Sequence, residues 1–315
     1  MKIGFFSEGG YEGKVPRNHP NMRTDVAWVC ALDATHHPIP KLQELPNNLY
    51  DIGVMILPKK REMLLNYPLL EQYRRVCKRV TMMQESYYNY WQDSSIAEQI
   101  WYFNFITEMD LIFCHNDVDL LYYGGLTGVR TELLPSVMIT DDVVRRSEWG
   151  NGVIIGGNWV WAYGGFDSYQ VALELSESDI NEDITAVTTG RMKPEEDQVI
   201  KHIPWMMWSE WIKTLSQFNV GIQLGTASAG TFNLNCSFHK IPCIGYSNVN
   251  TQNILHPLTT VEVGDIENAK HIAKKLKNDK FYKLCMDTTL KRYEAYYSED
   301  KFLENTQRIF RTLVN

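Results

Sequence analysis

The sequence predicts an α/β protein of two tandem domains, each a parallel sheet covered by helices. Three observations predict it. Short, almost entirely apolar runs alternate with segments of helical spacing, the signature of consecutive βα units. The chain has 315 residues, enough to build two hydrophobic cores of ordinary size. A charged, glycine-containing stretch from Asp141 to Gly152 breaks the alternation near its middle and reads as a linker.

Each element follows from its own residues. Lys2 to Phe6 is an apolar strand that runs into Ser-Glu-Gly-Gly. Met22 to Ala34 has helical spacing, with Val26, Val29, Ala31 and Leu32 on neighbouring faces. Asp51 to Leu57 is a continuous apolar strand stopped by Pro58. A helix over Pro68 to Lys78 precedes the strand Arg79 to Met83, and an apolar helix over Ile96 to Glu108 precedes the strand Leu111 to Cys114. Leu133 to Ile139 is expected as the last strand of this half. The second series begins at Val153 to Ile155. It continues with strands at Ile184 to Val187, around Val199 to Ile203, and at Val220 to Leu224, Pro242 to Gly245 and Thr260 to Val263. From Ile266 to Val314 the tail reads as helical almost throughout.

Composition bounds the function. Apolar residues make up 44% and charged residues 22%, as in a soluble globular protein. No run approaches a membrane span, and Met1 to Glu8 enters a strand directly without a signal-peptide pattern, so a cytoplasmic protein with no transmembrane segment is expected. A net charge of −7 argues against a surface that grips nucleic acid everywhere, leaving a local basic patch at Lys59-Lys60-Arg61 and Arg74-Arg75. The six cysteines show neither a CxxC pair nor zinc-ligand spacing and read as buried free thiols. His36-His37 has no matching ligand cluster, so no metal site is expected, and no cofactor is expected either.

Parallel sheets present ligands to the carboxyl ends of their strands, and two such sheets in tandem imply a ligand cleft between them. The loops that follow strands are therefore the informative ones. Ala227 to Tyr246 reads as a small-residue loop, a short helix and a strand. Ser228, Ala229 and Gly230 let a ligand approach the amides that open the helix with Thr231. The helix dipole and unpaired N–H groups there favour phosphate, although the same loop also reads as an ordinary strand-to-helix turn. Gly9 and Gly10 after the first strand, and Gly157 after the first strand of the second half, allow either close approach of a phosphate or sugar or a plain turn. Arg191 is a diphosphate clamp or an exposed loop arginine, and Trp205, after Ile203-Pro204, is suited to a nucleobase face. Glu85, His115 and Asp25 are the general acid–base candidates. Their structural alternatives are a turn cap, a ring bonded to a loop carbonyl, and an electrostatic helix cap. Asp117-Val-Asp119 is formally a DxD pair, but it opens a helix and reads as capping.

The order of these features resembles the GT-B glycosyltransferases, with two Rossmann-like domains, an acceptor half and then a donor half. Ser228-Ala-Gly-Thr231 sits where retaining members carry a Glu-Gly-Phe-Gly-like run, and Lys240-Ile-Pro-Cys-Ile244 fits their following strand. Leu134-Pro-Ser-Val137 resembles their interdomain segment. Ser228 replaces the first family glutamate, and the second, which holds the donor ribose, falls at Asn235 or Cys236; Asn235 retains a hydrogen-bonding side chain. The resemblance implies an acceptor domain over 1–145, a donor-nucleotide domain over 150–295, and a C-terminal helix over 296–315 that crosses back to the first. It further implies metal-independent transfer of a sugar from a nucleotide sugar to an acceptor with a free hydroxyl: a glycan, a small molecule or a modified nucleic acid. Some phage enzymes that glycosylate modified DNA bases share the fold. A sugar-nucleotide epimerase and a non-catalytic nucleotide- or sugar-binding protein are the alternatives.

Overall fold

The computed structural model describes residues 1–8, 11–57, 68–84, 88–156, 163–177, 183–187, 200–226 and 230–314. They form two compact units, one of residues 1–19, 24–135 and 299–315, the other of residues 20–23 and 136–298.

In the first unit, β1 (Ile3–Ser7), β2 (Thr35–Pro38), β3 (Tyr50–Ile56), β4 (Cys77–Met83), β5 (Leu111–Cys114) and β6 (Thr131–Leu133) form a parallel sheet in the order 2-1-3-4-5-6. The helices α1 (Thr24–Ala31), α2 (Leu69–Val76), α3 (Ile96–Thr107), α4 (Asp117–Thr127) and α11 (Glu299–Val314) belong to this unit. β1 and β5 are buried at every position, as parallel strands covered on both faces must be. α11 seats Phe310 edge-on against Phe113 of β5, with ring centroids 5.9 Å apart. α3 opens with a full capping box between Ser95 and Glu98.

In the second unit, β7 (Val153–Ile155), β8 (Ile184–Val187), β9 (Lys201–Ile203), β10 (Val220–Gln223), β11 (Cys243–Tyr246) and β12 (Thr260–Val261) form a second parallel sheet in the order 12-11-10-7-8-9. Around it lie α5 (Gly165–Ala172), α6 (Trp208–Leu215), α7 (Thr231–Phe238), α8 (Asn250–Leu255), α9 (Ile266–Leu276) and α10 (Asp279–Arg292), after which a π-helical turn spans Tyr293–Tyr297. The expected α/β class with two parallel sheets and a long helical tail is the fold observed. All six cysteines are buried free thiols.

One strand expectation is corrected and two local details are added. The strand expected over Leu133 to Ile139 is Thr131–Leu133. Leu134 makes one more bond, to Cys114 O at 2.9 Å, and then Pro135 has no N–H to extend the ladder. Thr35–Pro38 is a strand beside β1 that its His-His-Pro composition hid. The helix named DxD is capped by Asn116, whose side chain accepts from Asp119 N–H, while the Asp119 carboxyl is buried. The Asp141 to Gly152 stretch is tied into the second unit by Arg146, which donates to the carbonyls of Phe218, His239 and Lys240 at 2.6, 2.6 and 2.9 Å.

In each sheet the strand order reverses once. β1 lies between β2 and β3, and β7 lies between β8 and β10, so the chain departs on opposite sides of these pairs. Such a reversal leaves a crevice at the carboxyl ends of the two strands, where open α/β sheets bind ligands.

Burial holds His115, His239 and His256 down to about 4, so all three are neutral in the folded state. An unfolded histidine titrates near 6.5, so between pH 6.5 and 4 the unfolded chain binds more protons. Stability is therefore complete above pH 6.5 and falls as pH drops toward 4, by on the order of 2 kcal/mol per histidine at pH 5. Urea midpoints at pH 7.5 and 5 will read the loss, and replacing any one of the three by a neutral isostere will shrink it.

Candidate functional site

Two constellations stand at the reversal points. In the first unit, β1 ends at Ser7 and α1 begins with Thr24-Asp25. Thr24 has a φ of 27°, in the left-handed region that a β-branched residue avoids, which marks a locally strained helix start. The half-buried Asp25 carboxylate receives the Tyr11 hydroxyl at 3.4 Å, and Ser7 Oγ lies 3.3 Å away. Ser7 Oγ also lies 2.8 Å from Nε2 of His36, whose ring stacks on Tyr11 at 3.9 Å between centroids.

One helical turn beyond Asp25, Trp28 stacks on the ring of His115 at 5.4 Å, so α1 presents Asp25 and the His115 partner on one face. His115 follows β5 directly, is 7% exposed, and neither ring nitrogen has a hydrogen-bond partner among the described residues. Nearby on α4, burial pushes the Asp119 carboxyl up to about 7, against opposing hydrogen bonds from Asn116 and the Tyr88 amide. A neutral imidazole and a carboxyl that titrates near neutrality are both suited to proton transfer, Asp119 being one that sequence reading assigned to capping.

In the second unit, the chain leaves β10 and enters α7 at Gly230, which has a φ of 72°. A Cβ at this position would lie 1.5 Å from the Thr251 hydroxyl oxygen, so both conformation and space require glycine. Leu234 N–H closes on Gly230 O at 3.0 Å, and the amides of Thr231, Phe232 and Asn233 precede it in the first turn of the helix. Thr231 Oγ1 lies 3.4 Å from Ser136 Oγ.

A buried network anchors this helix end. Asn233 Nδ2 donates to Gln252 Oε1 at 2.7 Å, and Gln252 donates in turn to Cys243 O at 2.8 Å. His256 Nε2 meets the Asn233 carbonyl at 2.9 Å, while Nδ1 accepts from Cys243 N–H and Thr289 at 3.3 and 3.1 Å, so the neutral ring is fully used. Asn235, expected at the ribose, is 2% exposed within α7, and its Oδ1 has no hydrogen-bond partner among the described residues. Trp205 is half exposed and carries the Arg23 guanidinium over its ring at 5.1 Å; Arg23 also donates to Met206 O at 2.7 Å.

Among the sequence-derived candidates, Asp25, His115, Trp205, Gly230, Thr231 and Asn235 are thus located, with Asp25 and His115 linked through α1 and Gly230, Thr231 and Asn235 through α7. Glu85, Gly9, Gly10, Gly157, Arg191, Ser228 and Ala229 lie outside the described residues. Ser7, Tyr11 and His36 escaped sequence reading, although a strand following the first helix of a βα series returns beside β1 and would have signalled His36. Among the described residues no three His, Cys, Asp or Glu side chains gather as metal ligands. No helix among them is long and apolar enough to cross a membrane.

No protein-family profile matches the chain, and no curated protein matches it in sequence. Solved structures match its fold. Anabaena HepE in complex with UDP-glucose superposes with a TM-score of 0.69 at 10% identity, over 99% of this chain and 100% of that one. A DNA modifying enzyme, β-glucosyltransferase, superposes with a TM-score of 0.60 at 11% identity over the whole of both chains. The pneumococcal O-GlcNAc transferase GtfA, in complex with UDP and GlcNAc, gives 0.65 at 9% identity over 87% of this chain and 59% of its own. The chain spans little more than half the length of GtfA and of TarM. The fold is that of the GT-B glycosyltransferases.

Gly230→Ala will destabilise the protein by more than about 2 kcal/mol, since it adds both a positive-φ penalty and overlap with Thr251. Thr251→Gly in the same chain will restore part of the loss, and thermal melts of the two single variants and the double variant will separate overlap from backbone strain.

Proposed function

We propose that this chain is a glycosyltransferase that moves a sugar from a nucleotide sugar to a hydroxyl acceptor without a bound metal ion, acting in the cytosol. The observation that carries this reading is the glycine-gated start of α7 beside the β7/β10 reversal, in a fold whose full-length neighbour HepE holds UDP-glucose.

In this reading the donor diphosphate lies against the amides of Thr231, Phe232 and Asn233, where helix dipole and N–H groups stabilise negative charge. Gly230 permits the approach, and Arg191, Ser228 and Ala229 complete the contact. Gly9, Gly10 and Gly157 are further donor-binding candidates, with Trp205 for the base and Asn235 for the ribose. Asp25 removes the acceptor proton, His115 and Glu85 being the other acid–base candidates. The acceptor oxygen forms a bond to the sugar's anomeric carbon as the bond from that carbon to the diphosphate oxygen breaks. The electron pair leaves on the diphosphate, facing the positive end of α7. Neutral His115 cannot supply a charge at pH 7, so its role is to receive or direct a hydrogen bond.

The whole-chain match to a DNA modifying enzyme favours, as a second reading of the acceptor, a hydroxyl on a modified DNA base. A non-catalytic sugar-nucleotide binder is favoured by one observation only, the replacement of both retaining-type glutamates by Ser228 and by Asn235 or Cys236.

The test is a thermal-shift screen of UDP-, GDP- and ADP-sugars, followed by turnover of the stabilising donor with glycans, small alcohols and hydroxyl-modified DNA. A donor at 100-fold its dissociation constant stabilises by about 2.7 kcal/mol. Asp25→Asn is expected to keep that shift and lose at least about 100-fold in kcat. Stabilisation without turnover on any acceptor would establish the binding module instead.

A further inference from the structure

Behind the Asp25 carboxylate stands a buried pair that the transfer above does not use. Ser7 is 4% exposed and His36 fully buried, and Ser7 Oγ lies 2.8 Å from His36 Nε2. On the other side of the ring, Nδ1 is 2.7 Å from the Tyr11 carbonyl oxygen. A carbonyl only accepts, so Nδ1 carries the ring proton and the neutral imidazole offers its lone pair at Nε2 to the Ser7 hydroxyl.

Ser7 has one hydroxyl proton. While it is donated to Nε2, the 3.3 Å approach of Ser7 Oγ to Asp25 Oδ2 joins two oxygens with no proton between them. One added proton converts that contact into a hydrogen bond in either of two ways. A protonated Asp25 donates to Ser7 Oγ while Ser7 still donates to His36. A protonated His36 donates from Nε2 to Ser7 Oγ, and Ser7 turns its own proton to Asp25. The two states contain the same atoms and differ by a shift of two protons along Asp25, Ser7 and His36.

We propose that Ser7 and His36 form a proton relay behind Asp25: a proton taken by Asp25 Oδ2 passes to Ser7 Oγ as the Ser7 proton passes to His36 Nε2. The carboxylate is restored, an imidazolium is left behind it, and Ser7 is unchanged. The inference rests on the reading of Asp25 as the base of a glycosyl transfer. Ser7 is too enclosed to act as a nucleophile, and as a shuttle it needs no access.

The groups facing His36 set how far the shift goes. Burial opposes its charge most strongly; the Tyr11 carbonyl, then Asp25 on α1, favour it; neighbouring His37 on β2 opposes it; and Glu12, after β1, favours it. The resting ring therefore sits below the ordinary histidine range and is ready to accept rather than already charged. After turnover the imidazolium returns its proton outward by the same path.

The relay is tested on the full-length protein by nitrogen-detected NMR of His36 and by kinetics of Ser7→Ala, His36→Asn and Ser7→Thr. His36→Asn keeps a donor for the Tyr11 carbonyl and removes the Nε2 acceptor. In the wild type the neutral ring is expected as the Nδ1–H tautomer, and Asp25→Asn and Ser7→Ala are both expected to move its titration midpoint. Ser7→Ala and His36→Asn are expected to lower kcat about tenfold or more with donor KM unchanged, and to shift the acid limb of the rate profile. In mixed H2O/D2O the wild-type rate is expected to curve as two protons in flight require, and Ser7→Ala to become linear. Ser7→Thr, which keeps a hydroxyl, is expected to recover the wild-type profile.

An Nε2–H tautomer, an unmoved His36 titration in both variants, or a Ser7→Ala rate with the wild-type pH profile and curvature each overturn the relay while leaving glycosyl transfer standing. A wild-type protein that turns over no sugar on any acceptor overturns the reading on which the relay rests, and shows this before any variant is made.

Discussion

The candidate site groups are arranged by one constraint: a parallel sheet buried on both faces has only its strand ends left for chemistry. β1 and β5 are enclosed at every residue, and so are β10 and β11. Polar side chains therefore collect where strands give way to loops and helices. The reversals beside β1 and β7 open crevices at those ends, and Asp25 and Gly230 stand at the edges of them.

The same burial sorts the titratable groups into different tasks. His256 and His239 are neutral, and His256 is saturated with bonds, serving as a fixed cross-brace behind α7. His115 is equally neutral but has no hydrogen-bond partner among the described residues, a state that costs about 1–3 kcal/mol unless something comes to meet it. Asp119 is pushed toward neutrality by burial, whereas Asp25 remains half exposed with a hydroxyl on its carboxylate. Environment, more than residue type, separates the group that holds structure from the group that can exchange a proton.

Much of the architecture was legible along the chain. Leu111 to Cys114 is a strand because four apolar residues between a helix and a polar cluster admit little else, and its bounds agree with the structure residue for residue. The tail from Ile266 reads as helix because its apolar spacing persists. Thr35–Pro38 was not legible: two histidines and a proline lack strand character, and only pairing with β1 makes them one. The end of β6 was misread because Val137 to Ile139 look like a strand, while Pro135 has already ended the ladder.

The sequence by itself determined the α/β alternation, the parallel sheets and the glycine that opens α7, because hydrophobic period and backbone freedom are properties of neighbouring residues. Tertiary structure alone decided the company each side chain keeps. Ser7, Tyr11, Asp25 and His36 are spread over 30 positions and meet only because β2 returns beside β1 and α1 crosses between them. Proton positions follow from that meeting: a carbonyl on one side of an imidazole and a hydroxyl on the other fix which nitrogen is free, and no spacing along a chain encodes it.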